Sequence, residues 1–312
     1  MEWNPTLFPF HEAQRWIHRP EYEVPKIHEL EESIDKVQAE TDHRIEQIRA
    51  EIEQVRTANQ DWYTLLNGTG DELVAAVIRS LRRLGFEKVK DVDAEAREQG
   101  KGQDLREDIQ IHDKTPVLIV DVKGVQGHPE DAEATQSEKH ALIRSREFQG
   151  NVQPLTIINH QRNIPPHDRD RMAYRQDIID NAVQTGLGLM TTWDLFRLLR
   201  NKEKLGWTAK DVIPIFYRTG RIEPVPEHYH LIGTVEHVWK EAFGVIPAAK
   251  VSVGSKLAVE TGDLFEEVVV GSLQIDRQQA DAADVGSNCG VAYPGAAEIF
   301  RERMRVFLVA TT

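Results

Sequence analysis

The chain has 312 residues, of which 40% are hydrophobic and 29% charged, and this length predicts two or three structural units. No apolar run approaches 18 residues, and the first residues lack the basic-then-apolar order of a signal peptide. We therefore exclude a membrane span and predict a cytoplasmic protein without a membrane partner. The single cysteine, Cys289, excludes an internal disulfide and a zinc site built on several thiolates.

The net charge of -13 is unevenly distributed along the chain. Residues 1–66 contain 7 basic and 14 acidic residues, and residues 230–312 contain 7 and 11. Residues 67–229 are almost neutral, with 24 basic and 26 acidic residues. The negative net charge argues against a protein that coats nucleic acid or anionic membranes nonspecifically. A basic groove with an acidic centre is compatible with the nearly neutral middle region.

A long amphipathic helix is predicted to follow Pro25, which suits the first helical turn, and to extend to about residue 60. Its apolar positions recur mostly at steps of three and four residues: Ile27, Leu30, Ile34, Val37, Ile45, Ile48, Ile52 and Val55. A stripe this narrow needs a partner. Two interpretations are open: a coiled coil that makes the protein a homo-oligomer, or packing of the stripe against its own chain.

A helix and a hairpin are predicted next. Residues 71–84 have apolar positions at helical spacing and end at Gly85, a typical C-cap. Residues 105–113 and 115–124 are two runs rich in Ile and Val, separated by a turn signal, and they predict two antiparallel strands. Antiparallel pairing brings Asp108, at the start of the first strand, close to Asp121, at the end of the second. Lys123 lies on the same face as Asp121.

Two carboxylates and a lysine at a strand end are typical of a site for a hard divalent cation beside a reacting phosphate. Asp108, Asp121 and the backbone carbonyl of Val122 would hold Mg²⁺ (or Mn²⁺), while Lys123 would orient the attacking water and offset charge in the transition state. Taken by themselves, the same residues are also compatible with a solvated pair at a sheet edge.

In their order, these residues resemble the PD-(D/E)XK restriction-endonuclease-like nucleases over about residues 62–200. The resemblance is carried by Leu65-Leu66-x-Gly-Thr-Gly-Asp71-Glu72-Leu73, Leu84-Gly85-Phe86, Glu107-Asp108-Ile109 and Asp121-Val122-Lys123-Gly124. Glu107 stands where the family motif has proline.

This resemblance implies a mixed sheet flanked by helices. It also implies that Glu72 supplies an accessory carboxylate to the metal site and that Gln136, in the helix after the metal strand, faces the site. Two interpretations are open for the polar residues of that helix, Gln136, Lys139 and His140: they face the active site, or they form a solvated helix surface, which is the favoured interpretation. Its apolar side is predicted to consist of Ala134, Ala141, Leu142, Ile143 and Phe148.

Four arginines follow the next predicted strand within 14 residues: Arg162, Arg169, Arg171 and Arg175. Arginine suits bidentate phosphate contacts, so this cluster is a candidate nucleic-acid-binding patch. The alternative is that Asp168, Asp170 and Asp177 neutralise these arginines at the surface.

From about Tyr229, short Val- and Ile-rich runs punctuated by glycines predict a small β-barrel. Residues 231–310 resemble the second-domain barrel of translation elongation factors at Gly233-Thr234-Val235, Val253-Gly254-x-x-Leu257, Ser272-Leu273-Gln274-Ile275 and Val285-Gly286-x-x-x-Gly290. No GxxxxGK[ST] motif occurs, so a GTPase is not implied. We interpret the barrel as a specificity or docking module for a protein partner, and Cys289 as a buried structural thiol.

The predicted fold class is therefore an α/β (α+β) restriction-endonuclease-like core, with an N-terminal long helix or coiled coil and a C-terminal small β-barrel. The predicted domains are residues 1–61, 62–228 and 229–312. The predicted function is metal-dependent hydrolysis of phosphodiester bonds, of DNA rather than RNA, in defence or repair. Two alternatives are a non-catalytic scaffold on a degraded nuclease fold and an RNase linked to translation.

Overall fold

The computed structural model describes residues 19–98, 107–295 and 299–310 of the chain. The chain divides into two compact units, Met1–Gln60 and Asp61–Thr312. Both domains that the sequence predicts beyond residue 61 lie in the second unit. Within the described ranges, none of the helices has the length and apolar composition needed to cross a membrane.

The first unit is dominated by one helix. A 3-10 turn, Pro20–Tyr22, precedes helix α1, Pro25–Ala58, which begins at the predicted proline. Ion pairs three residues apart, such as Lys26–Glu29 at 2.8 Å, lie along its exposed surface. No residue of α1 is buried, and the predicted apolar stripe is exposed from Leu30 to Val55.

The second unit begins with α2, Gln60–Asn67, and α3, Gly70–Leu84. Helix α3 buries one apolar face, which includes Leu73, Val77 and Leu81, and it ends at Gly85 as predicted. Gly85 has a left-handed φ of +112°, and a Cβ atom there would lie 2.7 Å from the Cβ of Ala209. Glycine is therefore required at this position by both conformation and space.

A six-stranded mixed sheet forms the centre of the second unit. Its strands lie in chain order: β1 Val89–Asp91, β2 Ile109–Ile111, β3 Val117–Gly124, β4 Val152–Asn159, β5 Gly188–Thr191 and β6 Gly220–Arg221. Strands β1, β2 and β3 are antiparallel, which confirms the predicted hairpin of β2 and β3. Residues 105–106 of its first predicted strand lie outside the described residues. Strands β3 to β6 are parallel.

Helices connect these strands: α4 Val92–Glu98, α5 Asp131–Ala134, α6 Gln136–Ser145, α7 Gln176–Thr185, α8 Thr192–Leu205 and α9 Ala209–Val212. Alternate residues of β3 face opposite sides of the sheet, as strand geometry requires. Leu118, Val120 and Val122 enter the apolar core that contains the buried residues of α3 and α8. The opposite face, which carries Asp121, lies against α6.

The C-terminal region is an antiparallel sheet. Its strands are β7 Tyr229–Val238, β8 Ala242–Val245, β9 Val251–Ser252, β10 Lys256–Thr261, β11 Leu264–Val269, β12 Ser272–Ile275, β13 Gln278–Ala280, β14 Ala282–Ala283, β15 Cys289–Ala292 and β16 Arg305–Val309. Eight of these strands follow the order β11-β10-β16-β7-β8-β15-β12-β13, while β9 and β14 form a separate pair. Cys289 is buried in the core, and this burial raises the pKa of its thiol. Closure of the strands into a barrel remains a prediction.

Helix α8 joins the mixed sheet to the C-terminal sheet. The side chain of Asn201 accepts a hydrogen bond from the Phe265 amide at 2.8 Å and donates one to the Asp263 carbonyl at 3.2 Å. Beside it, Glu260 accepts from Arg197 at 2.5 Å and from Arg305 at 2.6 Å. Paired and hydrogen-bonded charges of this kind tolerate burial, so they fix the register of α8 on the second sheet.

The exposed stripe of α1 predicts self-association through this helix. We expect the full chain to be a dimer or larger oligomer at micromolar concentration, because pairing would remove the apolar side chains from water. Replacing Ile45 and Ile52 with Asp should shift the mass measured by light scattering to that of one chain. Aspartate at the exposed positions Gln47 and Gln54 is the matched control. A single-chain mass for the unmodified protein at micromolar concentration would contradict the coiled coil.

The Glu260 cluster predicts a pH-dependent contribution to stability. Burial raises the pKa of Glu260, but the hydrogen bonds and charges of Arg305 and Arg197 outweigh burial and hold it below its usual 4.5. A lowered folded-state pKa stabilises the fold above the ordinary value, and this stabilisation is lost as the pH falls through the lowered value. We expect Glu260→Gln to reduce the free energy of unfolding at pH 7 by about 2 kcal/mol, and the difference to shrink below about pH 4.

Urea unfolding at several pH values would measure this difference. Glu241→Gln, at an exposed position, is the control and should change stability little at any of these values. A difference for Glu260→Gln that does not depend on pH would contradict the assignment.

Candidate functional site

The hairpin of β2 and β3 brings Asp108 against the strand that carries Asp121. The Asp108 amide donates to the Val120 carbonyl at 3.1 Å, and the Val122 amide donates to the Asp108 carboxylate at 2.6 Å. Asp108 thus holds the backbone on both sides of Asp121. The antiparallel register places Asp108 beside the strand that carries Asp121, as predicted. A shared site for the two carboxylates stays a prediction.

Asp121 has no solvent exposure, although it lies near the end of its strand. One carboxylate oxygen, Oδ2, lies 2.9 Å from Nδ1 of His140 on α6. The other, Oδ1, is buried and has no hydrogen-bond partner within the described part of the chain. A buried polar atom without a partner is costly and rare, so Oδ1 is an acceptor available to a bound group.

Glu107, at the position of the motif proline, is also completely buried. Its Oε1 accepts hydrogen bonds from Arg144 of α6 at 2.6 Å and from Gln110 at 2.5 Å. Burial alone would lower the pKa of Arg144, but hydrogen bonds and charges from Glu147 and Glu107 raise it. The glutamate that replaces the proline therefore anchors α6 to the start of β2.

The polar residues of α6, not its larger apolar ones, face the sheet. Ser137, His140 and Arg144 recur at helical spacing and contact Thr156, Asp121 and Glu107 respectively. The prediction that Leu142 and Ile143 belong to the buried side is wrong: they are 74% and 48% exposed. The reason is electrostatic, since the sheet presents buried carboxylates that need donors.

Gln136, the tentative site residue of this helix, is half-buried at the first position of α6. His140, one turn later, is the α6 residue whose side chain contacts Asp121. The sequence placed His140 among the residues that could face the site but did not predict its contact with Asp121. The available signal was its spacing of four residues from Arg144, which puts two donors on one face of the helix.

Lys123 is half-buried two residues beyond Asp121 and makes no hydrogen bond or ion pair to the residues that the structure describes. The next residue, Gly124, accepts a hydrogen bond from the Thr69 hydroxyl at 3.1 Å. A Cβ atom on Gly124 would lie 2.6 Å from the Gly68 carbonyl oxygen, so glycine is needed for this approach. The contact brings the start of α3 to the end of β3.

Glu72, in the first turn of α3, is exposed. In the described ranges no three His, Cys, Asp or Glu side chains come together as a group that could hold a metal ion. The metal-ligand roles of Asp108 and Asp121 and the accessory role of Glu72 therefore stay predictions.

The four predicted phosphate-contacting arginines differ in their surroundings. Arg169 is 6% exposed, and its guanidinium donates to Asn159 Oδ1 at 2.9 Å, to the Ile164 carbonyl at 2.8 Å and to the Leu66 carbonyl. Burial lowers its pKa. The prediction of a phosphate contact is replaced by a structural role, because three protein acceptors engage this guanidinium.

Arg175 agrees with the alternative interpretation, in which aspartates neutralise the arginines at the surface. It is exposed and ion-paired with Asp177 at 2.7 Å and with Asp131 at 3.0 Å. Arg162 is half-buried, and its Nε has no hydrogen-bond partner among the described residues. Arg171 is exposed on the same loop. The predicted cluster is thus dispersed, and Arg171 is its most accessible member without an ion pair in the described ranges.

No family model matches this sequence, and no curated protein matches it. Among solved structures, a bacterial selenocysteine-specific elongation factor, EF-Sec, is similar with a TM-score of 0.23 and 13% identity, covering 56% of this chain and 29% of that chain. Translation elongation factor SelB from Methanococcus maripaludis, in its apo form, is similar with a TM-score of 0.22 and 16% identity, covering 62% of this chain and 42% of that chain. The chain spans less than half the length of either protein, and these scores do not establish a shared fold.

The Asp121–His140 contact predicts a measurable contribution to stability. We expect His140→Ala to lower the free energy of unfolding by about 2–4 kcal/mol, because Asp121 would then have neither carboxylate oxygen hydrogen-bonded to a side chain. Chemical denaturation in EDTA would measure this loss. Lys139→Ala, at the exposed neighbouring position, should change stability by less than about 0.5 kcal/mol. Equal effects of the two variants would contradict the contact.

Proposed function

We propose that this protein is a metal-dependent nuclease that hydrolyses phosphodiester bonds, in DNA rather than RNA. The single observation that carries the proposal is the junction of Asp108 and Asp121 on adjacent strands, with a buried Oδ1 that has no hydrogen-bond partner among the described residues. Carboxylate oxygens are the ligands that Mg²⁺ and Mn²⁺ prefer. The order of α3, three antiparallel strands, α6 and a parallel β4 agrees with the PD-(D/E)XK resemblance.

Three oxygen donors are the proposed ligands of a divalent cation. Asp108, Asp121 and the Val122 carbonyl would hold it, and His140 would keep the Asp121 carboxylate in one orientation. A bound cation would supply Lewis-acid stabilisation of the negative charge that develops on the phosphate.

Lys123 lies on the same face of β3 as Asp121, two residues nearer the strand end. Its ammonium would orient the attacking water and offset charge in the transition state. Glu72, Gln136 and the loop arginines Arg162 and Arg171 are proposed to assist at the periphery. We propose that the nuclease acts in the cytoplasm, on foreign DNA in defence or on damaged DNA in repair.

A non-catalytic scaffold is the second candidate. The observation in its favour is that no group of three metal-ligating side chains occurs in the described ranges. Under this alternative, Asp121 and Asp108 would only terminate the hairpin. The nucleic acid or protein would then be held by other surfaces of the chain.

Cleavage by the purified full chain tests the proposal. We expect Mg²⁺- or Mn²⁺-dependent cutting of supercoiled, linear or single-stranded DNA that EDTA abolishes. Asp121→Asn and Lys123→Ala should each lower the rate by about 100-fold or more, because each removes charge stabilisation at the phosphate. Asp284→Asn and Lys210→Ala, at exposed positions, are the matched controls and should retain full activity.

Full cleavage by Asp121→Asn would show that the site is assigned wrongly. Cutting of RNA in preference to DNA would favour the translation-linked RNase. No cutting of any substrate by a folded protein that still binds nucleic acid would favour the scaffold.

A further inference from the structure

A cleft of about 800 Å³ opens between the mixed sheet and the C-terminal sheet, inside the second unit. One wall follows the carboxyl ends of β4 and β5, from His160 to Thr191. The other is the turn of residues 301–305 that precedes and begins β16. We refer to this cleft as the arginine cleft, because its lining contains seven arginines, together with five carboxylates, among the described residues.

Most of these charges are already engaged and make the walls rigid. Arg221 pairs with Asp194 at 2.7 Å, and Arg305 pairs with Glu223 at 2.7 Å and with Glu260. The two acidic groups on the rim also have partners: Asp170 lies 3.6 Å from His128, and Glu302 lies 3.2 Å from His237.

Two arginines on opposite walls differ from the rest. Arg171, from the loop after β4, and Arg303, from the turn before β16, are both exposed. Neither has a side-chain hydrogen bond or ion pair within the described part of the chain. Arg303 has a left-handed φ of +68°, and its amide donates to the Val235 carbonyl at 2.7 Å.

Aromatic rings line the same cleft. Trp193 lines the cleft and stacks on Phe196, with ring centroids 5.2 Å apart. His167, also in the lining, meets Trp193 edge-on at 5.3 Å. Aromatic rings in one cleft with guanidinium groups that have no ion pair among the described residues are the combination that single-stranded nucleic acid favours, since phosphates bind the cations and bases stack on the rings.

The cleft shares a sheet edge with the candidate metal site. Lys123 pairs with Ile158 in the parallel ladder, and His160, which lines the cleft, follows the end of β4 at Asn159. Strands β3 and β5 are two strand spacings apart, about 10 Å. A nucleic-acid strand in the cleft would therefore extend toward Lys123 and Asp121.

We propose that the arginine cleft binds a single strand of nucleic acid, with Arg171 and Arg303 on its phosphates and Trp193 against a base. The inference rests on the proposed nuclease function for its choice of ligand, but it concerns binding and can be tested without cleavage. An acidic protein partner would offer no planar bases to the aromatic rings, and these rings therefore favour nucleic acid.

Binding of a fluorescein-labelled single-stranded DNA 20-mer to the full chain, in EDTA, tests the proposal. We expect Arg171→Ala/Arg303→Ala to weaken binding by about 30-fold or more and to reduce the magnitude of the slope of log K against log salt concentration by about 1.4, or about 0.7 for each lost phosphate contact. The matched control is Arg146→Ala/Arg277→Ala. Arg146 and Arg277 are exposed and lie outside the cleft, and Arg277 has the same left-handed backbone, with a φ of +65°.

Arg303→Gly is a second variant, and misfolding would not explain a loss of binding in it. Glycine tolerates this φ at lower cost, so the thermal midpoint should stay constant or rise while binding weakens. Equal affinities of the cleft and control double variants would overturn the proposal. Displacement of the DNA by poly-glutamate at an equal concentration of charge would also overturn it, in favour of an acidic protein partner.

The binding and cleavage results are separable. Loss of DNA binding in the cleft variants of a protein that cuts nothing would support the cleft and reject the nuclease. Undiminished binding by the cleft variants of a protein that cuts DNA would reject the cleft and leave the nuclease standing.

Discussion

Two completely buried carboxyl side chains, Glu107 and Asp121, constrain the arrangement of this edge of the mixed sheet. Burial of such groups is costly unless donors surround them. Both donors come from one face of α6, where His140 and Arg144 are separated by one helical turn. The rotation of α6 about its axis is fixed by this requirement, and its larger apolar residues, Leu142 and Ile143, are exposed as a consequence.

The same edge collects the features that bear on function. The antiparallel hairpin brings Asp108 to Asp121, and the parallel ladder of β3, β4 and β5 continues the edge into the arginine cleft. The far wall of that cleft belongs to the C-terminal sheet, which α8 holds in register through Asn201 and the Glu260 cluster. A catalytic edge and a binding cleft built on rigid elements would keep a substrate strand in one orientation.

Local patterns predict much of the fold because they report local physics. The apolar period predicts α1 and α3, the glycine at position 85 predicts the helix end, and the turn signal predicts the hairpin that joins Asp108 to Asp121. Long-range pairing is not visible in periodicity. The buried face of α6 was therefore misassigned, and Arg169 was read as a phosphate contact although distant backbone groups engage it. The cleft combines residues more than 100 positions apart, so no spacing rule could have predicted it.

The central claim is that Asp108 and Asp121 together bind one divalent cation. The most direct test is titration of the metal-free full chain with Mn²⁺, followed by electron paramagnetic resonance of the unbound ion. We expect one site per chain, which Asp108→Asn or Asp121→Asn weakens by at least about tenfold, because each variant removes a charged ligand. Absence of Mn²⁺ binding, or binding that both variants leave unchanged, would contradict it.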